Sequence, residues 1–322
     1  MTFYEDKHVL VTGATGLVGR HLFSALRDAG ARIKVIVHER PLPGAGSVKQ
    51  VQADLTKQTD CLKVVKDVDY VFHLALARKY VEGASPSSRE PDVEFNINMI
   101  MNTRILEACR ITGVRRILIC SSESVYPPGP KVCAEDMPLD HSPNPMRKSY
   151  SWVKRTVEQQ ARAYAEEFGY HTIAIVRPSI VYGPWDYFGP EGAAVVPALI
   201  ARAAQRRDPF LIWGDGEPYR DFIHARDVAR GMMLALERYA CCNPVNLGSG
   251  EKVKILELAR MIIELADYNP EIVFDTTKPQ GPSRVLSTEK ARKVMGFEPQ
   301  ISLRDGLRKT FDWYISNRPR SE

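Results

Sequence analysis

Close to the N-terminus the sequence reads Val9-Leu-Val-Thr-Gly-Ala-Thr-Gly-Leu-Val-Gly19. The short apolar run at its start predicts a buried strand, and the spacing of apolar residues over 17–29 predicts a helix directly after it. Glycines at positions 13, 16 and 19 suit a tight turn, the close approach of a pyrophosphate, and contact between helix and strand. Amides at the start of such a helix carry partial positive charge and donate to phosphates. This stretch therefore predicts a dinucleotide-binding turn.

Strands and helices alternate along the chain after this turn. Further strands are predicted at 32–37, 69–74, 116–120, 172–176 and 244–247, with a helix at 227–238. Such alternation implies an α/β fold, a Rossmann-type doubly wound parallel sheet. Residues 178–218 and the tail from residue 250, which has a predicted strand at 272–274, break this alternation. They predict a smaller substrate-binding lobe over the carboxyl edge of the sheet. We expect a dinucleotide-binding domain over 1–176 and 219–249, and the lobe over 177–218 and 250–322.

Composition limits the classes of partner. Hydrophobic residues make up 44% of the 322 residues and charged residues 26%, which is typical of a folded globular chain without membrane spans. Charged residues within 1–8 argue against a secretory signal, so a cytoplasmic location is expected. The net charge of +5 is spread along the chain, which argues against a nucleic-acid partner. The six cysteines lack the spacing of zinc ligands, so no metal site is expected.

The residues that follow the second strand decide between NAD and NADP. A carboxylate there would hold the ribose hydroxyls of NAD, whereas a basic residue favours the 2′-phosphate of NADP. The expected place of that carboxylate holds Val37, followed by His38, Glu39 and Arg40. NADP(H) is therefore favoured, with His38 and Arg40 as candidate contacts, while a shift of one residue would let Glu39 bind the ribose of NAD(H). Asp54-Leu55, further along the chain, is another candidate cofactor contact.

A set of candidate catalytic residues follows the predicted strand at 116–120, which we take as the central strand. Tyr150 and Lys154 are four residues apart and share one face of a predicted helix. An ammonium beside a phenol favours the phenolate, so the tyrosine can exchange a proton with a substrate hydroxyl. Ser122, at the end of the central strand, would orient the same substrate oxygen. Together the three residues predict hydride transfer at the carbon that bears this oxygen.

At this point the chain resembles the extended short-chain dehydrogenases/reductases of the NAD-dependent epimerase/dehydratase family, which modify nucleotide sugars. The matching motifs are Thr12 to Gly19, His73-Leu-Ala75, Ser121 to Tyr126, Tyr150-x-x-x-Lys154, Val181-Tyr-Gly-Pro184, Arg220 to His224 with Asp227-Val-Ala229, and Asn246 to Gly250. The resemblance implies that Ser122 orients the substrate, Tyr150 is the acid/base, and Lys154 also holds the nicotinamide ribose. It implies cofactor contacts at Gly13, Thr15, Gly16, Leu17, Val18, Gly19, Leu74, Ala75, Arg177 and Pro178, and substrate contacts at Ser124, Val196, Arg220 and Arg284. It also implies a homodimer that pairs the helices within 98–112 and 150–168.

Within the family the runs 98–103, 182–190, 196–197 and 282–313 are most similar to the GDP-fucose synthases, which are NADP-dependent epimerase-reductases. Their second acid/base pair is a cysteine and a histidine, and the matching positions here hold Ser124 and Gly189. Epimerisation at C3 and C5 is therefore not expected, while redox chemistry at C4 is. The expected function is that of an NAD(P)-dependent epimerase or reductase acting at C4 of a nucleotide-linked hexose.

Three other functions stay open. Dehydratases of the family carry an Asp-Glu pair where this chain has Glu123-Ser124, so one carboxylate remains for a dehydration that would use Glu123. Ile180 stands where an amide usually meets the substrate, a form that also occurs in relatives acting on non-nucleotide compounds, so a reductase of a non-nucleotide hydroxy or keto substrate is an alternative. A non-catalytic dinucleotide sensor is the third alternative, and the presence of Ser122, Tyr150 and Lys154 argues against it.

Overall fold

The computed structural model describes residues 2–37, 41–44, 46, 48–77, 91–129, 131–143, 148–190 and 192–318. The strands are β1 (His8–Thr12), β2 (Arg32–Val37), β3 (Lys49–Gln52), β4 (Tyr70–His73), β5 (Arg116–Cys120), β6 (Val132–Cys133), β7 (Ile173–Pro178), β8 (Ile180–Tyr182), β9 (Phe210–Trp213), β10 (Tyr219–Arg220), β11 (Phe222–His224), β12 (Pro244–Leu247), β13 (Val253–Lys254), β14 (Ile272–Asp275) and β15 (Val285–Leu286). The helices are α1 (Leu17–Asp28), α2 (Gln58–Val65), α3 (Pro91–Thr112), α4 (Lys148–Phe168), α5 (Val195–Ala204), α6 (Ala225–Arg238), α7 (Ile255–Leu265), α8 (Glu289–Met295) and α9 (Leu303–Asn317).

Seven parallel strands form the main sheet, in the order β12-β7-β5-β4-β1-β2-β3. The chain builds outward from β1 through β2 to β3, and then from β4 through β5 and β7 to β12 on the other side. Strand order therefore reverses beside β1, and in such sheets ligands bind at the carboxyl ends of the strands near this reversal. The predicted Rossmann-type α/β fold is confirmed, as are the predicted strands, with bounds that differ by a residue or two.

Helices cover both faces of this sheet, which explains why the central strands β1, β4 and β5 are mostly apolar. Val9 and Val11 of β1 pack in one fully buried cluster with residues of α1 and α6, whereas Leu10 packs in a second cluster with α2 and α3. Successive side chains of a strand point to opposite faces. Both faces of β1 are therefore buried from Val9 to Thr12.

A third apolar cluster lies outside the sheet. It joins α5, α7 and α9 to β9, and the predicted strand at 272–274 is observed as β14, paired in parallel with β9. Phe222, which lies in the segment that we assigned to the dinucleotide-binding domain, also packs in this cluster. The two bodies of the fold are thus joined through β11, and the division of the chain at 176, 218 and 249 stays a prediction.

The buried carboxylate of Asp221 ties the two bodies together, a role that we did not foresee. It accepts hydrogen bonds from the Ser249 amide (2.8 Å) and hydroxyl (2.7 Å), from the Ser179 hydroxyl (3.1 Å) and from the Leu286 amide (3.2 Å). A β-carbon at Gly248 would lie 2.4 Å from one of its oxygens. Asp221 therefore fixes the backbone next to Arg220, and Gly248 has to remain a glycine.

We expect Asp221→Ala to lower the free energy of unfolding by about 3 kcal/mol, because it leaves several buried donors without an acceptor. Asp312→Ala, at an exposed position of α9, should change this free energy by less than about 0.5 kcal/mol. Urea denaturation of both variants measures the difference. Equal midpoints for the two would contradict the assigned role.

Within the described ranges, no helix combines the length and the apolar character of a membrane span. No three His, Cys, Asp or Glu side chains of these residues cluster as metal ligands would.

Candidate active site

A cleft of about 760 Å³ opens at the carboxyl ends of β1, β4, β5 and β7, beside the strand reversal. Its wall contains segments that are far apart in the sequence. The predicted site residues that it brings together are Gly13, Thr15, Gly16, Leu17, Val18, Gly19, Leu74, Ser122, Glu123, Ser124, Tyr150, Lys154, Pro178, Arg220 and Arg284.

The glycine turn is packed so tightly that side chains are excluded at two of its positions. Gly13 has a φ of +71°, and a β-carbon there would lie 2.8 Å from the Leu74 carbonyl. At Gly19 a β-carbon would lie 2.2 Å from the Gly13 carbonyl oxygen. Gly16 caps α1, and its added β-carbon would meet only that same oxygen, at 3.4 Å. Because the first-turn amides of α1 have no carbonyl one turn earlier in the helix, the open side of the turn fits a pyrophosphate.

A buried hydrogen-bond network holds this turn against β4. Burial lowers the pKa of His73 to about 4, so its ring is neutral. His73 Nε2 donates to Asn102 Oδ1 (3.0 Å), which leaves Nδ1 to accept from the Thr12 hydroxyl (2.9 Å). The Thr12 oxygen in turn accepts from the Leu74 amide (3.2 Å) and the Ala75 amide (3.1 Å). The loop that forms one wall of the cleft is therefore fixed by β1, β4 and α3.

Tyr150 and Lys154 lie side by side in the first two turns of α4. The Lys154 ammonium lies 5.5 Å from the centre of the Tyr150 ring and donates to the Cys120 carbonyl at 2.6 Å. Ser122 follows β5, and its hydroxyl caps a short 3₁₀ helix by accepting from the Ser124 amide at 3.2 Å. The Cys120 carbonyl at the end of β5 therefore holds the Lys154 ammonium beside the Tyr150 ring.

A buried ion pair supports this arrangement from behind. Arg177 donates to the Glu158 carboxylate through Nε (2.9 Å) and Nη2 (2.6 Å), and Ser121 donates to the same carboxylate. A third nitrogen of Arg177 donates to the Tyr126 hydroxyl at 3.0 Å. The Arg177 side chain does not line the cleft, which differs from our prediction of a cofactor contact. Its guanidinium instead holds the two ends of the Ser121–Tyr126 loop.

Four other predicted contacts do not line the cleft: Asp54, Leu55, Ala75 and Val196. The Asp54 carboxylate accepts from the amide (2.9 Å) and the hydroxyl (2.6 Å) of Thr56, which is an ordinary turn. Leu55 is a core residue. Val196 is buried beside Val195, which does line the cleft. The candidates His38 and Arg40, together with Glu39, lie outside the described residues.

Two arginines line the end of the cleft beside Ser124. Arg220 donates to the carbonyls of Tyr219 (3.0 Å) and Pro282, and Arg284 donates to the Glu123 carbonyl (2.9 Å). Burial lowers the pKa of Arg220. The Arg284 guanidinium lowers this pKa further, whereas the Glu123 carboxylate raises it. Among the described residues, the buried Arg284 Nε and Ser124 hydroxyl have no hydrogen-bond partner. Two close guanidinium groups and spare donors suit a diphosphate.

Sequence reasoning missed the cleft wall formed by Trp185, Asp186 and Tyr187. These residues lie in the Gly- and Pro-rich segment after β8, whose conformation no periodicity predicts. The nearest signal was the run 182–190, which was noticed only as a similarity. Leu76, Gly192 and Gly281 also line the cleft.

Comparison with known proteins agrees with this geometry. Residues 9–248 match the NAD dependent epimerase/dehydratase family. The chain is 31% identical to GDP-L-fucose synthase 1 of Arabidopsis thaliana, over 97% of this chain and 94% of that protein. It is 32% identical to dTDP-4-dehydro-6-deoxy-D-allose reductase of Streptomyces bikiniensis, over 97% of each chain.

Among solved structures, UDP-glucose 4-epimerase of Thermotoga maritima with UDP-glucose superposes with a TM-score of 0.85 at 26% identity, over 97% of this chain and all of that one. The likeness thus extends over both bodies of the fold, and it includes the region in which the cleft lies. The chain belongs to the NAD-dependent epimerase/dehydratase family, and it is an NAD(P)-dependent enzyme of the extended short-chain dehydrogenase/reductase type, from a family that modifies nucleotide sugars.

Proposed function

We propose that this enzyme reduces a keto group at C4 of a nucleotide-linked hexose with a nicotinamide cofactor. The observation that carries the proposal is that Ser122, Tyr150 and Lys154 line one cleft with the glycine turn and two arginines. Of the functions left open by the sequence, a 4-epimerase would use the same residues. The similarity to a 4-dehydro sugar reductase favours net reduction.

The nicotinamide, when bound, supplies the hydride that forms the new bond to carbon. Tyr150 donates its phenolic proton to the former carbonyl oxygen, so the product is an alcohol. The Lys154 ammonium stabilises the phenolate that remains, because an opposite charge nearby favours the ionised form. The Ser122 hydroxyl donates a hydrogen bond to the same oxygen as negative charge develops on it.

Binding uses the two ends of the cleft. The glycine turn and the first-turn amides of α1 hold the cofactor pyrophosphate, and Arg220 with Arg284 hold the substrate diphosphate. Residues His38 and Arg40 favour NADP(H), a preference that rests on the sequence alone. Comparing the dissociation constants of NADPH and NADH by fluorescence titration tests it, and tighter binding of NADH would contradict it.

We expect purified protein to oxidise NADPH when a dTDP- or GDP-linked 4-keto-6-deoxyhexose is added. In D₂O, no deuterium should enter at C3 or C5, because Ser124 and Gly189 offer no group that titrates near neutral pH. NMR spectroscopy of the product measures both results. Interconversion of C4 epimers without net NADPH consumption would replace the reductase by an epimerase, and a 4-keto-6-deoxy product formed from an intact hexose would indicate a dehydratase.

We further propose a cytoplasmic homodimer that pairs α3 and α4 of two chains. Large apolar side chains are exposed on these helices at Ile100, Ile111, Trp152 and Phe168. Burying them between two copies would remove apolar surface from water. A sedimentation mass of a single 36.3 kDa chain at micromolar concentration would contradict the dimer.

A further inference from the structure

The loop between β8 and α5 is anchored at two aromatic residues. Trp185 lies with its ring centre 6.1 Å from that of Trp313 in α9, and 4.9 Å from that of His21 in α1. Phe188 stacks on Tyr314 of α9 at 4.5 Å. These contacts attach the loop both to the helix that begins at the glycine turn and to the C-terminal helix. The backbone between Trp185 and Phe188 is therefore held in place over the cleft.

Tyr187 lies between the two anchors and lines the cleft. Its side chain is 52% exposed, although it is large and mostly apolar. The Asp186 carboxylate accepts from the Tyr187 amide at 2.8 Å, which fixes the backbone there. The phenol is therefore presented to the cleft by a supported loop.

The Tyr187 ring fills the space that a side chain at position 189 would need. A β-carbon at Gly189 would lie 2.1 Å from the Tyr187 hydroxyl oxygen and 2.2 Å from Cζ. Gly189 is not among the residues with positive φ, so its backbone conformation is open to any residue. An alanine at this position would therefore displace the phenol. Tyr187 and Gly189 thus act as one unit in shaping this wall.

We propose that Tyr187 is a substrate-positioning residue that contacts the hexose of the nucleotide sugar, an inference that rests on the proposed function. With the diphosphate at Arg220 and Arg284 and the reacting carbon at Tyr150, the hexose spans the part of the cleft between them. Tyr187 lines that cleft from the loop of the second body. Its apolar ring covers the hexose while its hydroxyl bonds a sugar hydroxyl, a combination that tyrosine suits.

Four variants test the proposal: Tyr187→Phe, Tyr187→Ala, Gly189→Ala and the double variant Tyr187→Ala/Gly189→Ala. Losing one hydrogen bond between neutral groups should raise KM for the 4-keto sugar nucleotide about fivefold in Tyr187→Phe, with kcat within about twofold. Gly189→Ala should displace the phenol and raise KM as Tyr187→Ala does. Adding Gly189→Ala to Tyr187→Ala should change nothing further, because the displaced group is already absent.

The dissociation constant of NADPH should be the same in all four variants, which shows that the fold and the cofactor site are intact. Tyr268→Phe, which removes a hydroxyl outside the cleft, is the matched control and should keep the KM of the unmodified enzyme. Unchanged KM in both Tyr187 variants would overturn the contact. Additive effects of Tyr187→Ala and Gly189→Ala on KM would show that the two residues act independently, and would reject their joint role.

Calorimetry separates this inference from the proposed reaction. Tyr187→Ala should weaken binding of GDP-mannose and dTDP-glucose while leaving GDP and dTDP unchanged, and this holds even if no 4-keto sugar nucleotide is reduced. A lack of reduction alone would therefore reject only the proposed reaction. Equal weakening of the sugar nucleotides and the plain nucleotides, or no binding of either sugar nucleotide, would reject the hexose contact.

Discussion

Replacing Tyr150 by phenylalanine should lower kcat by about a thousandfold while the dissociation constant of NADPH stays unchanged. General acid catalysis by a positioned side chain contributes about 10²–10⁴ in rate, and the variant keeps the ring but lacks the proton. The ring packs beside Lys154, whose ammonium is held independently by the Cys120 carbonyl. The cofactor side of the cleft should therefore remain intact. Stopped-flow measurement of NADPH oxidation with a saturating 4-keto sugar nucleotide gives the rate.

Tyr164→Phe is the matched control, since it makes the same change in the same helix away from the cleft. It should leave kcat within about twofold of the unmodified enzyme, because no step of the mechanism uses its hydroxyl. Full activity of Tyr150→Phe would remove Tyr150 from the mechanism. Separately, an unmodified chain that binds cofactor but turns over no sugar nucleotide would favour the sensor hypothesis.

Replacing Glu158 by alanine should lower the free energy of unfolding by about 4 kcal/mol, because it leaves a buried guanidinium without its partner. Glu158 is 2% exposed and Arg177 1% exposed. Their pair also holds the Ser121 hydroxyl, next to Ser122. Activity should therefore fall together with stability. Guanidinium chloride denaturation and kcat measured on the same preparation give the two quantities.

Glu166→Ala, at an exposed position of the same helix, should change stability by less than about 0.5 kcal/mol. The apolar pair Glu158→Leu/Arg177→Met should recover most of the lost stability, since no buried charge remains. A Glu158→Ala variant as stable as Glu166→Ala would show that the ion pair contributes little.

The parts of the fold that could be predicted from the sequence are those that depend on local order. Residues 9–19 contain strand, turn and helix within eleven positions, and Tyr150 and Lys154 lie on one helix face. In both cases the spacing of the residues in the chain determines their spacing in space. The parallel sheet followed because alternating strands and helices leave few other arrangements.

The remaining parts of the site depend on contacts between distant segments. Arg177 was predicted as a cofactor contact from the family resemblance, whereas in the structure its side chain pairs with Glu158, which lies in another element. The roles of Asp221 and Tyr187 depend on contacts that form only in the folded chain. Asp221 is defined by its hydrogen bonds to backbone amides of other loops, and Tyr187 by its distance to Gly189. A pattern of residue types contains neither.

The segment that carries Arg284 is synthesised late, after most of the residues that it contacts. Arg284 donates to three carbonyls of the Glu123–Pro127 loop, and β15, which follows it, pairs with β6. During synthesis the glycine turn leaves the ribosome first, and all seven strands of the main sheet precede Arg284 in the chain. Ala291, Met295 and Phe297, which pack in the same apolar cluster as Val9 and Val11, follow Arg284 in the chain. The apolar core on this face of the sheet is therefore complete only after Arg284 has been synthesised.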